Sequence, residues 1–269
     1  MNIIEKIILF LQGEMETPKP YGWYHLLCLF IMIVFLVILF LRRKKHNELQ
    51  LKIILGTYSF VALIFELLKQ ITWAFNFDST TNVVSWDYEW YSFPFQLCTT
   101  PIYVCLLCTF LKNNKLRKSL LSYIAYFTIL GSFMTAIIPN SCFCSDILAN
   151  IHTMWLHLGS LLVSIYLLFS GEVEFERKNI DHAAVVFVIF VTIAELLNLI
   201  VYNSGILNGE SFNMFYISPY FVSVLPIYDY IQTHTIYIVY LFIYVISLIL
   251  GANIVYYVGK LLKGKGYEK

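Results

Sequence analysis

The sequence predicts an all-α, polytopic membrane protein: a bundle of seven transmembrane helices with a polar cavity that opens outward. Hydrophobic residues make up 59% of the 269 residues and charged residues 13%, a balance far from that of soluble globular domains. Seven stretches approach or exceed the ~18 apolar residues of a spanning helix. Basic residues collect in alternate loops between these stretches. A soluble helical bundle has no reason to distribute its charges in this way.

The chain is predicted to form one integral membrane domain over residues 1–269. Residues 1–22 are expected to include a short interfacial helix, because Glu5 and Lys6 interrupt an apolar run that a signal peptide would keep intact. Residues 23–258 hold the seven spans, and 259–269 form a cytoplasmic tail. The predicted spans are Trp23–Leu41, Leu51–Ala74, Phe93–Leu111, Ser119–Ile138, Ile147–Phe169, Ala183–Tyr202 and Gln232–Val258.

The distribution of Lys and Arg predicts the orientation. Fifteen of the 18 basic residues lie on one side: between spans one and two, three and four, or five and six, in the tail, or, for Lys52, at the start of span two. The loops on the other side, 75–92, 139–146 and 203–231, contain none. The positive-inside rule therefore predicts an outside N-terminus and a cytoplasmic C-terminus. The long loop 203–231 is aromatic and apolar, and we expect it to cover or enter the outer mouth of the bundle.

Polar side chains cluster in the outward halves of the spans. Because such groups are costly in a bilayer, they usually face a cavity or a partner. One shared cavity near the outer face would accommodate all of them. They are Glu66, Lys69 and Gln70 in span two, Gln96 and Cys98 in span three, His152 and His157 in span five, Glu195 and Asn198 in span six, and His25 and His234 near span ends.

Structural roles are open for the same residues. Glu66 and Lys69 are three apart and could neutralise each other within one helix. Glu195 and Asn198 have the same spacing and could hydrogen-bond between helices. A histidine in a span is often a hydrogen-bonded structural residue. His152 and His157 are five residues apart, so they are not expected to face one cavity together.

Cys98 is the strongest candidate for chemistry. Pro94 suits the first turn of a helix, which places the thiol near a helix N-terminus, where the dipole favours a thiolate. Pro101 cannot donate to the Leu97 carbonyl and is expected to kink the helix. A thiolate needs a base, and His157 is the best candidate by depth, with Asn198 or Glu195 to orient it.

The other cysteines carry weaker signals. Cys28, Cys105 and Cys108 are expected to pack as small apolar residues. Cys142 and Cys144 are too close for an easy disulfide, and two thiols make only half a zinc site. No metal and no cofactor are therefore predicted, and nothing in the chain indicates a nucleic-acid partner.

At these residues the chain resembles the bacterial YwaF and transmembrane protein 164 family. Members have a Leu-Pro-Leu-His-Leu-Cys type motif in span three, which here reads Phe93-Pro-Phe-Gln-Leu-Cys98. A Ser-His-Gly type motif resembles Leu156-His157-Leu158-Gly159, with one extra residue. The span-one histidine is similar to His25, and an Asn-Tyr-Met-Phe-like stretch resembles Asn213-Met214-Phe215 after Asn198. Two departures stand out: Gln96 replaces the motif histidine and cannot act as a base, and the Asn213 stretch lacks its tyrosine.

The resemblance implies a lipid acyltransferase in a bacterial plasma membrane, with Cys98 as acyl acceptor and His157 as proton shuttle. Gln96 or Asn198 would steady the oxyanion or the imidazole, and Glu195, His25, Glu66 and Asn213 would support the site. The expected partners are membrane phospholipids of the outer leaflet, since the outer loops lack cations for acyl-CoA phosphates. Two alternatives stay open: a small-solute or proton-coupled transporter, and a non-catalytic lipid-binding protein.

Overall fold

A computed structural model describes residues 2–140 and 142–266, with side chains described through residue 262. Within these residues, six helices are long and apolar enough to cross a membrane, and a shorter apolar helix of 11 residues joins them. The chain is an all-α polytopic membrane protein. Its helices are α1 (Ile3–Leu11), α2 (Trp23–Arg42), α3 (Glu48–Ala74), α4 (Thr100–Phe110), α5 (Lys115–Tyr123), α6 (Ile129–Ile137), α7 (Ile147–Phe169), α8 (Arg177–Ser204), α9 (Tyr228–His234) and α10 (Tyr237–Gly266).

The two ends of the bundle differ in composition, and we name them by what they carry. The basic face carries residues 42–45, 112–118 and 177–178. The hairpin face carries loops 139–146 and 203–227 and a two-stranded antiparallel hairpin, β1 (Phe75–Asp78) and β2 (Val83–Trp86), which the all-α prediction did not include. Six long helices match predicted spans closely. The predicted tail lies partly outside the described residues, and α10 continues through the rest of it to Gly266.

The third predicted span differs from the prediction. Regular helix begins at Thr100, seven residues later than expected, so Pro94 lies outside it and Pro101 lies in its first turn. Proline disfavours helical geometry in the residue before it and is well tolerated at a helix start. Pro101 therefore starts a helix where a kink was predicted. Eleven residues span about 16 Å, which is about half of the hydrocarbon core.

The fourth span is one continuous helix, Lys115–Ile137, with a π-helical segment at Ile124–Thr128 between α5 and α6. The cause is visible in the contacts. Ser164 of α7 donates its hydroxyl to the Ile124 carbonyl at 2.8 Å, and Thr128 donates to the same carbonyl at 2.8 Å. Side chains that enter the backbone ladder in this way widen a helical turn.

The loop after α8 folds back into the bundle, as the sequence predicted. Five consecutive or nearly consecutive residues of this loop are fully buried: Phe212, Met214, Phe215, Ile217 and Ser218. Further along, the predicted seventh span begins later than expected, because α9 ends at His234 and α10 starts at Tyr237. The loop thus belongs to the core of the hairpin-face half.

Helices α3 and α7 pack antiparallel and position the candidate site. Their contacts run in order along both helices: Glu66 with His152, Ala62 with Leu156, and Tyr58 with Gly159. Gly159 permits the close approach, since a Cβ there would lie 2.9 Å from Tyr58 Cδ2. Trp155 adds a hydrogen bond from Nε1 to the Tyr58 carbonyl at 3.1 Å. The glycine of the predicted His157 motif therefore has a packing role.

Candidate functional site

Cys98 lies in a turn immediately before α4, one residue ahead of the N-cap Thr99. The turn is held by hydrogen bonds from the Thr99 and Thr100 amides to the Gln96 carbonyl, at 3.0 and 3.1 Å. The thiol is half-buried and packs against a small apolar cluster of three helices: Ala62 of α3, Ile102 of α4 and Leu156 of α7. It therefore lies where α3, α4 and α7 meet, just ahead of the α4 N-terminus, whereas the sequence predicted a position inside a helix that begins at Phe93.

A charged cluster lies beside this apolar cluster, in the hairpin-face half. Lys69 Nζ lies 2.8 Å from Glu66 Oε1, and His152 Nε2 lies 3.2 Å from Glu66 Oε2. Gln70 Nε2 donates to Glu66 Oε1 at 2.8 Å and to the Ser92 carbonyl at 2.8 Å. Glu66 is 2% exposed, His152 4% and Lys69 12%. The predicted neutralisation of Glu66 by Lys69 is present, and His152 joins it.

The contact between Glu66 and His152 is unusual in one respect. Glu66 Oε2 and His152 Nε2 are buried and lack a hydrogen bond of good geometry within the described part of the structure. Among the described side chains, each of these atoms is the other's partner at ion-pair distance. A buried polar atom without a hydrogen bond is costly, so such groups are commonly functional.

His157 lies on the same helix, five residues after His152. Its Nδ1 is buried and has no hydrogen-bond partner among the described residues. No hydrogen bond joins it to Cys98 in residues 2–140 and 142–266. The His157 Nδ1 atom is therefore unpaired within the described part of the chain, and the predicted role of His157 as the base of Cys98 stays a prediction.

Gln96 and Asn198 both bind the backbone of the buried loop. Gln96 donates to the Asn213 carbonyl at 2.9 Å and accepts from the Phe215 amide at 2.7 Å. Asn198 donates to the Met214 carbonyl at 3.1 Å and accepts from the Met214 amide at 2.7 Å. We call this arrangement the amide clamp.

The clamp holds a strained turn. Phe215 and Tyr216 adopt positive φ angles of 57° and 59°, which non-glycine residues rarely adopt. Asn213 closes the turn by accepting from the Ser218 amide at 2.8 Å and donating to the Phe221 carbonyl at 3.1 Å. Gln96, Asn198 and Asn213 thus come together as predicted, but their contacts are with this turn.

His25 and Glu195 lie in other surroundings. His25 is fully buried, accepts a hydrogen bond from the Tyr21 amide at 3.0 Å, and packs its ring against Phe143. The Glu195 Oε2 atom is buried without a hydrogen-bond partner among the described residues. No hydrogen bond or ion pair joins either side chain to Cys98 within the described ranges.

The other cysteines behave as the sequence predicted in part. Cys105 and Cys108 are fully buried in the main core. Burial raises the pKa of the Cys144 thiol, and Asn150 brackets its backbone by accepting from the amide at 3.1 Å and donating to the carbonyl at 2.7 Å. No group of three or more metal-ligating side chains occurs in the described residues.

Two open clefts lie at the hairpin face, with volumes of about 430 and 380 Å³. Neither is lined by any predicted site residue. The larger is lined by acidic and aromatic groups, among them Glu89, whose pKa is raised by burial and by the charges of Glu210 and Asp87. Neither of these two clefts corresponds to the cavity predicted from the polar residues.

Sequence reasoning did not predict two contacts of the site, although it had placed Gln70 in the polar cluster. Gln70 links Glu66 to the Ser92 carbonyl, and its i,i+4 spacing from Glu66 was a usable signal. Tyr58 sets the approach of α3 to α7 through Gly159, and no sequence pattern announces that contact.

Comparison with known proteins adds one finding. The model of the TMEM164 family matches residues 20–257, which covers most of the chain. No curated protein and no solved structure matches.

Proposed function

The chain belongs to the TMEM164 family, and from this premise we propose that it is a membrane-embedded lipid acyltransferase that carries its acyl group on Cys98. One observation carries the proposal. A half-buried cysteine just ahead of a helix N-terminus packs against an apolar cluster of α3, α4 and α7, near a buried cluster of carboxylate, imidazole and ammonium groups. A nucleophile, proton acceptors and an apolar surface for an acyl chain therefore occur together.

The proposed chemistry is transfer through a thioester. The Cys98 sulfur attacks the ester carbonyl of a phospholipid, and His157 takes the thiol proton. The S–C bond forms, the ester C–O bond breaks, and His157 returns the proton to the departing glycerol oxygen. The buried Nδ1 of His157, which has no partner among the described residues, supports this role. The helix N-terminus favours the thiolate.

The acyl donor is a phospholipid of the leaflet at the hairpin face, which the basic-residue distribution assigns to the outside. Loops 75–92, 139–146 and 203–231 contain no Lys or Arg to bind the phosphates of acyl-CoA. A phospholipid presents its ester just beneath the head group, where Cys98 lies before α4. The buried loop held by the amide clamp excludes water from this side, which favours transfer over hydrolysis.

A transporter is the second candidate, because buried ionisable groups inside a membrane bundle often mark an ion or proton path. Glu66, Lys69 and His152 fit that description. Among the described residues, the basic-face half has its own ion pair, Arg117 with Glu48 at 2.8 Å, but the core around it includes apolar side chains such as Leu51 and Leu55. This contrast favours the enzyme.

Acylation of the purified protein tests the proposal. Reconstituted in liposomes with phospholipid labelled in its acyl chain, the wild type should acquire a hydroxylamine-sensitive label that Cys98→Ala abolishes. Cys28→Ala is the matched control, since this half-buried cysteine lies in a different cluster and should leave labelling intact. Labelling from acyl-CoA alone would overturn the choice of donor. No label from either donor would overturn the enzyme and favour the transporter.

A further inference from the structure

We propose that His152, oriented by Glu66, is the base for the second half of the reaction, in which the acyl group leaves Cys98 for a hydroxyl acceptor. The inference rests on the proposed function, because it divides the work of one site between two histidines. It assigns the charged cluster, which the first half-reaction does not use, a role in the second.

The placement of the pair follows from the helix contacts. Cys98 packs at the level of Ala62 on α3 and Leu156 on α7. Glu66 lies four residues after Ala62, and His152 lies four residues before Leu156. Since the two helices are antiparallel, both steps lead toward the hairpin face by about one turn, ~5.4 Å. The pair therefore lies just beyond the thiol, on the side from which a lipid head group and a hydroxyl acceptor arrive.

The contacts of the pair fit a base and its orienting group. Lys69 and Gln70 both bind Glu66 Oε1, at 2.8 Å each, and fix the carboxylate. Its second oxygen, Oε2, faces His152 Nε2 at 3.2 Å, and within the described residues neither atom has another partner. A purely structural salt bridge would be expected to satisfy its buried atoms with aligned hydrogen bonds. The contact between Glu66 Oε2 and His152 Nε2 can therefore become a stronger hydrogen bond when His152 is protonated to an imidazolium.

The proposed step balances without any further reactant. The acceptor hydroxyl gives its proton to His152 as its oxygen attacks the thioester carbonyl. The new C–O bond forms, the C–S bond breaks, and the Cys98 thiolate takes the proton from His152. Both histidines end the cycle neutral. Glu66 stabilises the transient imidazolium and does not touch the reacting atoms, so it is a positioning residue.

The test separates the two half-reactions in the full-length protein in liposomes. After a pulse of acyl-labelled phospholipid, the label on Cys98 and its transfer to an added lysophospholipid are followed in time. His152→Gln should form the labelled thioester within about twofold of the wild-type rate and transfer it ~10²-fold or more slowly, as expected for loss of a general base. Glu66→Gln should show the same pattern with a smaller loss, and His157→Gln should instead block labelling.

Two controls distinguish chemistry from folding. His46→Gln removes the histidine of a second, partly exposed His–Glu contact, with Glu172, and should leave both half-reactions within about twofold of wild type. Added imidazole should restore transfer in His152→Gly, which a packing defect would not allow. Normal transfer by His152→Gln, or equal loss of both half-reactions with no imidazole rescue, would overturn the inference alone. Absence of any label on the wild type would overturn the proposed function and this inference with it.

Discussion

The pairing of α3 with α7 is flanked by a histidine–glutamate contact at each end, and the two contacts are built differently. At the basic face, His46 bonds the Tyr166 hydroxyl at 2.7 Å and Glu172 at 3.1 Å, and the two side chains are 19% and 17% exposed. At the hairpin face, His152 and Glu66 are 4% and 2% exposed and lack an aligned hydrogen bond. In the first contact, both ring nitrogens of His46 have hydrogen-bond partners, and the contact joins the segment before α3 to the segment after α7. In the second contact, two atoms are buried without a hydrogen bond of good geometry among the described residues, which is typical of a functional group.

The largest effect on stability is expected from removing the Glu66 carboxylate, and removal of the Glu172 carboxylate is the comparison. Glu66→Ala leaves the Lys69 ammonium buried without its counter-ion, and should lower the free energy of unfolding by about 3–5 kcal/mol. Glu172→Ala removes a partly exposed partner and should cost at most about 1 kcal/mol. Unfolding in detergent–SDS mixtures, followed by tryptophan fluorescence, measures both. Equal losses of unfolding free energy in the two variants would contradict the difference between the two histidine–glutamate contacts.

A buried side chain of the hairpin-face half that makes good hydrogen bonds shows how burial with hydrogen bonds differs from burial without them. Asn198 is fully buried, and both ends of its amide bind Met214. Asn198→Leu would leave a buried amide and a buried carbonyl unpaired, and should cost about 3 kcal/mol. The exposed Asn203 on the same helix is the control, and Asn203→Leu should change stability by less than about 0.5 kcal/mol. A loss for Asn203→Leu as large as that for Asn198→Leu would contradict the clamp.

The middle of the interface is expected to respond to volume alone. Gly159→Ala places a Cβ 2.9 Å from Tyr58 Cδ2 and should cost about 1–3 kcal/mol by overpacking. Gly131→Ala on α6 meets no atom within 4 Å and should be neutral or stabilise by about 0.5–1 kcal/mol. The same unfolding assay ranks the two variants. If Gly159→Ala were as stable as Gly131→Ala, α3 and α7 would not pack as closely as described.

The smallest effect concerns an exposed carboxylate of the hairpin. Asp78 accepts hydrogen bonds from the backbone and hydroxyls of Thr80 and Thr81, which lower its pKa to about 2. Because the folded pKa lies below the unfolded value of about 3.9, this contribution is complete above pH 4 and is lost as the pH falls toward 2.

Hydrogen exchange of a peptide covering the turn, corrected for intrinsic rates, should therefore be constant from pH 7 to 5. Asp78→Asn should loosen the turn at all of these pH values. Loosening of the wild-type turn between pH 7 and 5 would show that another group controls it.

The long helices and the depth of the polar residues could be predicted from the sequence, since both depend on local hydropathy. The start of α4 could not, because Pro94 and Pro101 each fit a helix start, and only packing selects the later one. The contact of His152 with Glu66 was not predicted, for a different reason. Depth favoured His157 as the base of Cys98, whereas the face that α7 presents to α3 is set by the contact of Gly159 with Tyr58. Gln96 and Asn198 were correctly grouped with Asn213, but their clamp on a strained turn depends on long-range folding.

The π segment at Ile124–Thr128 can be regarded as a single-residue insertion into an otherwise ordinary helix. One added residue advances the helix by about 100° relative to its other half. On one side of it, Tyr123 bonds Thr100 of α4 at 2.6 Å; on the other, Ser132 bonds Ser160 of α7 at 2.8 Å. The continuous helix can thus make the hydrogen bond to α4 and the hydrogen bond to α7 together, which a helix of uniform pitch would not align. Deleting one residue here would preserve the helix and its length in the membrane, yet force it to give up one of the two partners.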